Sequence, residues 1–313
     1  MTTHVGLTAR AFGLEKMFMP DLDQKIKETL KDVSSRFGGD FDIVEESDWK
    51  NLIKRWDGDT VHLTMYGENI DQFLKENELE NPLVIVGSEK VPRDVYDIAD
   101  HNVAVGSQPH SEVASLAVFL DRYNDRKIPY FEGGELNVAP STKSKRVLDT
   151  DKIPTADECF EFCREKGMDD DLMEHTMSVL DRALQLHENH GGDLRSIIAG
   201  SLLHDVGRTV SHEVDHGVKG AELVREKGWE DEIAKIVERH IGGGITKQEA
   251  EELGLPKRSY LPKTKEEKIV CHADNTAGGK ERFINQIKRT EKAGYEKSAD
   301  RMRKLAEEFG ESL

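Results

Sequence analysis

Three cysteines in 313 residues are too few to staple a domain, which excludes a disulfide framework as the source of stability. Two of them, Cys159 and Cys163, stand four residues apart, a helical spacing that suits small apolar groups packed in a core. No apolar run approaches the length of a membrane span and no leader-like segment opens the chain, so the expectation is a cytosolic protein with no membrane partner. Neither G-x-G-x-x-G nor G-x-x-x-x-G-K-[ST] occurs, which weakens the Rossmann-dinucleotide and P-loop readings. Basic residues are also in deficit. Lys and Arg number 44 against 61 Asp and Glu, a formal net charge of −17. The excess is even: 18 against 27 in residues 1–150, and 26 against 34 in residues 151–313. Such acidity is awkward for a nucleic-acid partner, whose phosphates need cations. It fits either a local basic patch on an acidic body or adaptation to a salt-rich cytoplasm. Lys143, Lys145 and Arg146 are the candidate patch.

What is present in the first half is a set of short apolar strands that stop at glycine. Leu83–Val86 stops at Gly87, and Pro92 fixes the loop before Asp94 opens a helix. Val103–Val105 runs into Gly106-Ser107-Gln108-Pro109-His110, where Ser111 caps an alanine-rich helix and Glu112 favours its first turn. VHLTMYG at 61–67 would end at Gly67 and supply a third loop. The strands ending at Gly87 and Gly106, separated by one short helix, should lie side by side in a parallel sheet. Ligands of such sheets bind outside the carboxyl ends of the strands, and this site offers backbone donors and acceptors with few charges. An adenosine-containing cofactor held by main chain suits it.

These segments, with TTHVGLTARAFG at 2–13 and NVAVGSQPHSEVASLAVFLDR at 102–122, resemble the archaeal tRNA (cytidine(56)-2'-O)-methyltransferases of the SPOUT superfamily over residues 1–148. The resemblance implies an α/β domain with a deep trefoil knot, a homodimer, and S-adenosylmethionine-dependent methylation of the ribose 2'-hydroxyl of cytidine 56 in the TΨC loop of tRNA. It places the cofactor against Leu63, against Gly87, Ser88, Glu89, Lys90 and Val91, and against Gly106, Ser107, Gln108, Pro109, His110, Ser111, Glu112 and Val113. Members of that family carry a further strand and a GHRxxRD-type segment before the equivalent of Thr2-Thr3-His4-Val5. This chain starts with Met1 at that join, so the expectation is either a reading frame opened late, at an internal valine codon, or a domain without its first strand. Arg10 is then the catalytic candidate in this region.

Residues 124–155 mix Pro, Gly, Ser and charge, with a strand-like piece at Leu136 to Ala139, and mark a boundary. The expected domains are 1–148 and 155–313, joined by a linker at 149–154. Beyond Pro154 the apolar spacing is helical nearly throughout. This half holds His175 on a helical pattern, the adjacent pair His204-Asp205 at a helix end, His216, His240 and Asp274. All are divalent-metal ligand types on elements where side chains can converge, and such a centre activates water. His187, His190 and His212 read as structural or solvated.

The order H…HD…H…H…D resembles the HD-domain phosphohydrolases over about residues 155–285, which implies an all-α bundle. In that pattern His175, His204, Asp205 and Asp274 hold one ion (Mn, Fe, Mg or Co). His216 and His240 stand where two-metal members place ligands to a second, with Asp205 bridging and serving catalysis. Arg208 and Lys219 would neutralise phosphate of a small phosphorylated substrate such as a nucleotide. The helices after Gly278 carry an apolar stripe, Phe283, Ile284 and Ile287 and then Met302, Leu305 and Phe309, which reads as a cover for the bundle. The whole is thus expected to be a tRNA methyltransferase with a linked hydrolase. The competing reading is a phosphate-ester hydrolase whose first domain is inactive or only binds RNA.

Overall fold

The computed structural model describes residues 2–87, 91–127, 129, 131, 133–141 and 143–311, and the chain divides into two compact units, 1–135 and 136–313. In the first unit α1 (Thr2–Ala11) leads to β1 (Lys16–Met19), α2 (Gln24–Phe37), β2 (Asp42–Glu45) and α3 (Trp49–Lys54). Then follow β3 (Thr60–Asn69), α4 (Ile70–Glu76), β4 (Leu83–Val86), α5 (Asp94–Ile98), β5 (His101–Ala104) and α6 (Glu112–Tyr123). Strands β1 and β2 pair parallel, and a second parallel sheet has the order β4-β3-β5.

Strand β3 is central, pairing with β4 on one edge and β5 on the other. Val61, Leu63 and Val103 join Ala9 of α1 and Leu116, Phe119 and Leu120 of α6 in one core. A carboxylate pins the start of this sheet: Asp100 accepts from the Thr60 amide at 2.9 Å and its hydroxyl at 2.7 Å. The strands that end at Gly87 and Gly106 are therefore not neighbours, contrary to the sequence expectation, since β3 lies between them. Gly67 does not end a strand either. Leu63 and Glu68 both face Val103, so Thr64–Gly67 step out of the ladder and the strand resumes to Asn69, whose side chain caps α4. Gly67 is needed where the chain rejoins, because a Cβ there would overlap the Asn102 carbonyl.

The second unit opens with an antiparallel hairpin, β6 (Leu136–Ala139) and β7 (Arg146–Asp149). Ala139 and Leu148 of this hairpin enter the same core as Cys159, Phe162, Leu202 and Ile236. Burial there places the hairpin in the second compact unit, whereas the resemblance put the domain end near 148. Helices α7 (Ala156–Glu165), α8 (Asp170–His190), α9 (Leu194–Leu203), α10 (His216–Glu226) and α11 (Asp231–Glu238) follow. The chain ends through α12 (Lys247–Glu252), α13 (Lys265–Thr276), α14 (Gly279–Lys292) and α15 (Glu296–Glu308). A capping box at Thr155 and Glu158 starts the first of these helices. Arg146 does not join a basic patch. It is half-buried, 3.0 Å from the buried Glu266 of α13, and ties hairpin to bundle. Phe283 and Ile287 of α14 pack on Ala299, Met302 and Ala306 of α15, as the stripe predicted.

Candidate metal centre and cofactor loops

Five segments of the bundle deliver the titratable residues to one place. His175 comes from the first half of α8, and His204-Asp205 follows the last residue of α9. His216 opens α10, His240 lies just past α11, and Asp274 sits near the end of α13. The approach of α10 to the His204-Asp205 turn is close enough to require glycine. A Cβ on Gly207 would overlap the His216 carbonyl and the Gly220 amide.

The imidazoles share one orientation. Nδ1 of His204 donates to the Ser201 carbonyl at 2.8 Å, Nδ1 of His216 to Glu213 at 2.7 Å, and Nδ1 of His240 to Val237 at 2.7 Å. Each bond fixes the tautomer and turns the Nε2 lone pair inward, the arrangement that prepares a histidine to ligate. The inward atoms then meet. His216 Nε2 lies 3.2 Å from His240 Nε2, and Asp205 Oδ1 lies 3.2 Å from the first and 3.5 Å from the second. On its other side, Asp205 Oδ2 is 3.6 Å from His204 Nε2 and 4.0 Å from His175 Nε2. Asp274 Oδ1 lies 3.1 Å from His175 and 3.8 Å from His204. Asp205 thus stands between two donor sets, His175, His204 and Asp274 on one oxygen, His216 and His240 on the other.

The charges favour a cation at this point. Burial opposes ionisation of Asp205, yet the surrounding imidazoles, His204 foremost, hold its carboxyl far below the ordinary carboxylate range. Asp274 is lowered as well, its burial outweighed by the His175 hydrogen bond and the nearby imidazoles. Burial drives His204 below its ordinary value against the pull of Asp205 and Asp274. His240 is raised: burial opposes this, but Asp205 faces it. Ionised carboxylates and a neutral imidazole are the protonation states that bind a metal. His204 Nε2 and Asp205 Oδ1 are buried and have no hydrogen-bond partner, a deficit of roughly 1–3 kcal/mol each. His175, His204 and Asp205, and separately Asp205, His216 and His240, each bring their ligand atoms within 4.8 Å of one another. A divalent ion on each set satisfies both orphans, so the donors present fit the group.

Arg208 closes the shell, its Nε donating to Asp205 Oδ2 at 2.7 Å. Beside the centre opens a cavity of about 550 Å³ that reaches His175 and Asp274. Arg208, Arg282 and Arg289 line it, with Asn285, Gln286 and Glu281. The last five belong to α14 and were not singled out in the sequence, although 282, 285, 286 and 289 fall on one helical face. Lys219, expected to meet phosphate, lies one turn into α10 and is not among the residues lining this cavity.

In the first unit Leu63 is buried and paired in register with Val86 on one side and Val103 on the other. That register sets Gly87 and the segment from Gly106 to Val113 on either flank of the same strand position. Ser111 caps α6, accepting from the Ala114 amide at 3.2 Å, and a Cβ at Gly106 would meet open space. Gly87 is covered instead by the Val91 side chain. Ser88, Glu89 and Lys90 lie outside the described residues. Arg10, the catalytic candidate from the sequence, is engaged within the unit. It is buried, donates to Ser34 Oγ at 3.1 Å and to the Gly38 carbonyl, and packs over Phe131, which ties α1 to α2.

Residues 37–148 match the family model for the tRNA ribose 2'-O-methyltransferase, aTrm56, and residues 172–279 match the HD domain. A Picrophilus torridus protein described as tRNA (cytidine(56)-2'-O)-methyltransferase is 42% identical over 314 residues, spanning 99% of this chain and 91% of its own. A Thermoplasma volcanium protein of the same description is 41% identical, spanning 97% and 91%. One from Methanothrix thermoacetophila, 49% identical, spans 48% of this chain and 88% of its own. Crystal structures of the L. monocytogenes phosphodiesterase PgpH HD domain cover 42% of this chain at 17% identity with TM-scores of 0.28 and 0.29, a likeness too weak to specify a fold. No helix among the described residues is long and apolar enough to cross a membrane.

Proposed function

The chain belongs to the tRNA (cytidine(56)-2'-O)-methyltransferase family, and from that premise we propose an enzyme with two activities. The first unit moves a methyl group from S-adenosylmethionine to the ribose 2'-hydroxyl of cytidine 56 in tRNA. The sulfur–methyl bond breaks, a carbon–oxygen bond forms, and the hydroxyl proton is released. What carries this reading is identity near 42% sustained across both units with relatives so described. Leu63, Gly87 to Val91 and Gly106 to Val113 would hold the cofactor, largely through main-chain amides and carbonyls. A trefoil knot and a homodimer belong to the same proposal.

The second unit is proposed as a metal-dependent phosphohydrolase, on the convergence of two donor sets at Asp205. Bound divalent ions would lower the pKa of a water and neutralise charge on phosphorus. His175, His204, Asp205 and Asp274 would hold one ion, and Asp205, His216 and His240 the other. Asp205, with one oxygen facing each set, would serve both ions, while Arg208 donates to Asp205 and lines the cavity. The alternative of a hydrolase whose first unit only binds RNA is favoured by one observation, the commitment of Arg10 to Ser34 and Gly38.

Labelled S-adenosylmethionine and unmodified tRNA test the first activity. Label should enter wild-type transcript and be lost when cytidine 56 is replaced, and no incorporation would leave the alternative. Phosphate release with Mn²⁺, abolished by Asp205→Ala, tests the second.

A further inference from the structure

The wall of the cavity beside the metal centre is chemically one-sided. Arg282 and Arg289, seven residues apart on α14, project with Asn285 and Gln286 from the face opposite Phe283 and Ile287, which are buried against α15. The side chains of Arg282 and Arg289 line the cavity, and among the described residues neither guanidinium is held by an ion pair. Arg208 lines the same cavity, its Nε held by Asp205. Three guanidinium groups in a half of the chain with net charge −8 are a local reversal of sign, which concentrates anions at this mouth. Among the described residues Glu281 is the one carboxylate that lines the cavity besides Asp274. Among the described residues that line it the one aromatic ring is His175, turned to Asp274 and Asp205, and no Phe, Tyr, Trp or aliphatic side chain joins it, so no hydrophobic surface is set aside for a base.

We propose that α14, outside the residues that match the HD domain, is the substrate-selecting element of this site and admits compounds carrying a chain of two or more phosphates without reading the group at its end. The proposal rests on the phosphohydrolase reading of the same centre. A phosphate near His175 and Asp274 leaves its neighbours within reach of Arg282 and Arg289, whose planar donors match phosphate oxygens. A cavity of about 550 Å³ lies in the range that accommodates a nucleoside polyphosphate, and the bare inorganic chain satisfies the same contacts.

The test uses the full chain loaded with Mn²⁺ and measures calorimetric binding of inorganic tripolyphosphate and orthophosphate, then hydrolysis of ATP, GTP, CTP and UTP. Tripolyphosphate should bind at least about tenfold more tightly than orthophosphate, and Arg282→Ala and Arg289→Ala should each weaken it about tenfold with orthophosphate nearly unchanged. The four nucleotides should be turned over within about threefold of one another. Unchanged tripolyphosphate binding in both arginine variants, or preference for one base beyond about tenfold, would overturn the proposal. Arginine-dependent tripolyphosphate binding without hydrolysis of any nucleotide would sustain it while refuting the hydrolase reading. Hydrolysis that ignores both arginines would do the reverse.

Discussion

Asp205 is the residue on which the metal centre turns, because each of its oxygens faces a different donor set. Asp205→Ala should lower bound metal, measured by elemental analysis after Mn²⁺ loading, from about two ions per chain to none, whereas His240→Ala should leave one. Equal stoichiometry in the two variants would remove the bridging role. Gly207 is legible in the sequence only as a glycine after His-Asp, and its reason lies in another element, the His216 carbonyl of α10. Gly207→Ala should destabilise the second unit at the upper end of the roughly 1–3 kcal/mol that overpacking costs, seen as a lower denaturant midpoint. The cysteines conform to their sequence reading. Burial pushes the Cys163 thiol up to about 12 and raises Cys159 and Cys271 as well, so all three should resist a disulfide reagent until the chain unfolds.

At the scale of elements, hairpin and helix are joined by charge. The Arg146 side chain is 13% exposed and Glu266 1%, so Arg146→Ala should strand a buried carboxylate and cost about 3–5 kcal/mol by chemical denaturation. Changing both residues to methionine should recover most of that loss, since the uncompensated charge disappears with its partner. The pairing was illegible because the two residues are 120 positions apart and Arg146 sits beside Lys143 and Lys145, which gives it the look of a surface cluster. The order β4-β3-β5 was hidden for a related reason. The apolar runs at 61–63, 83–86 and 103–105 are equally suited to a covered parallel strand, and only helix packing chooses which one lies in the middle. The polar face of α14 had a readable spacing but no readable target, because arginines on a helix are solvated unless another element brings a site to them.

Over the whole molecule, acid stability follows from a buried histidine of the bundle. His272 is fully buried, and burial, then the charge of Arg182, push it down to about 4, so the native chain keeps it neutral. Below about pH 6.5 the unfolded chain binds a proton that the native chain refuses, and stability should fall until about pH 4 and then level, a loss on the order of 3 kcal/mol. Denaturant midpoints taken between pH 7 and pH 4 check this, and His272→Phe should flatten the slope. A chelator should lower the melting temperature of the transition that belongs to residues 136–313, and saturating Mn²⁺ should restore it.

The chemistry of this protein was written locally. Histidine and aspartate types, their order, the glycine-ended strands and the Ser111 cap follow from properties a residue carries wherever it lies, and they pointed to a metal-binding bundle behind an α/β unit. Tertiary structure alone decided which groups were already spent. Arg10 went to Ser34 and Gly38, and Arg146 to Glu266, while Arg282 and Arg289 were left lining the cavity. A side chain's role depends on what satisfies its hydrogen bonds, and those partners come from segments that the order along the chain does not place beside it.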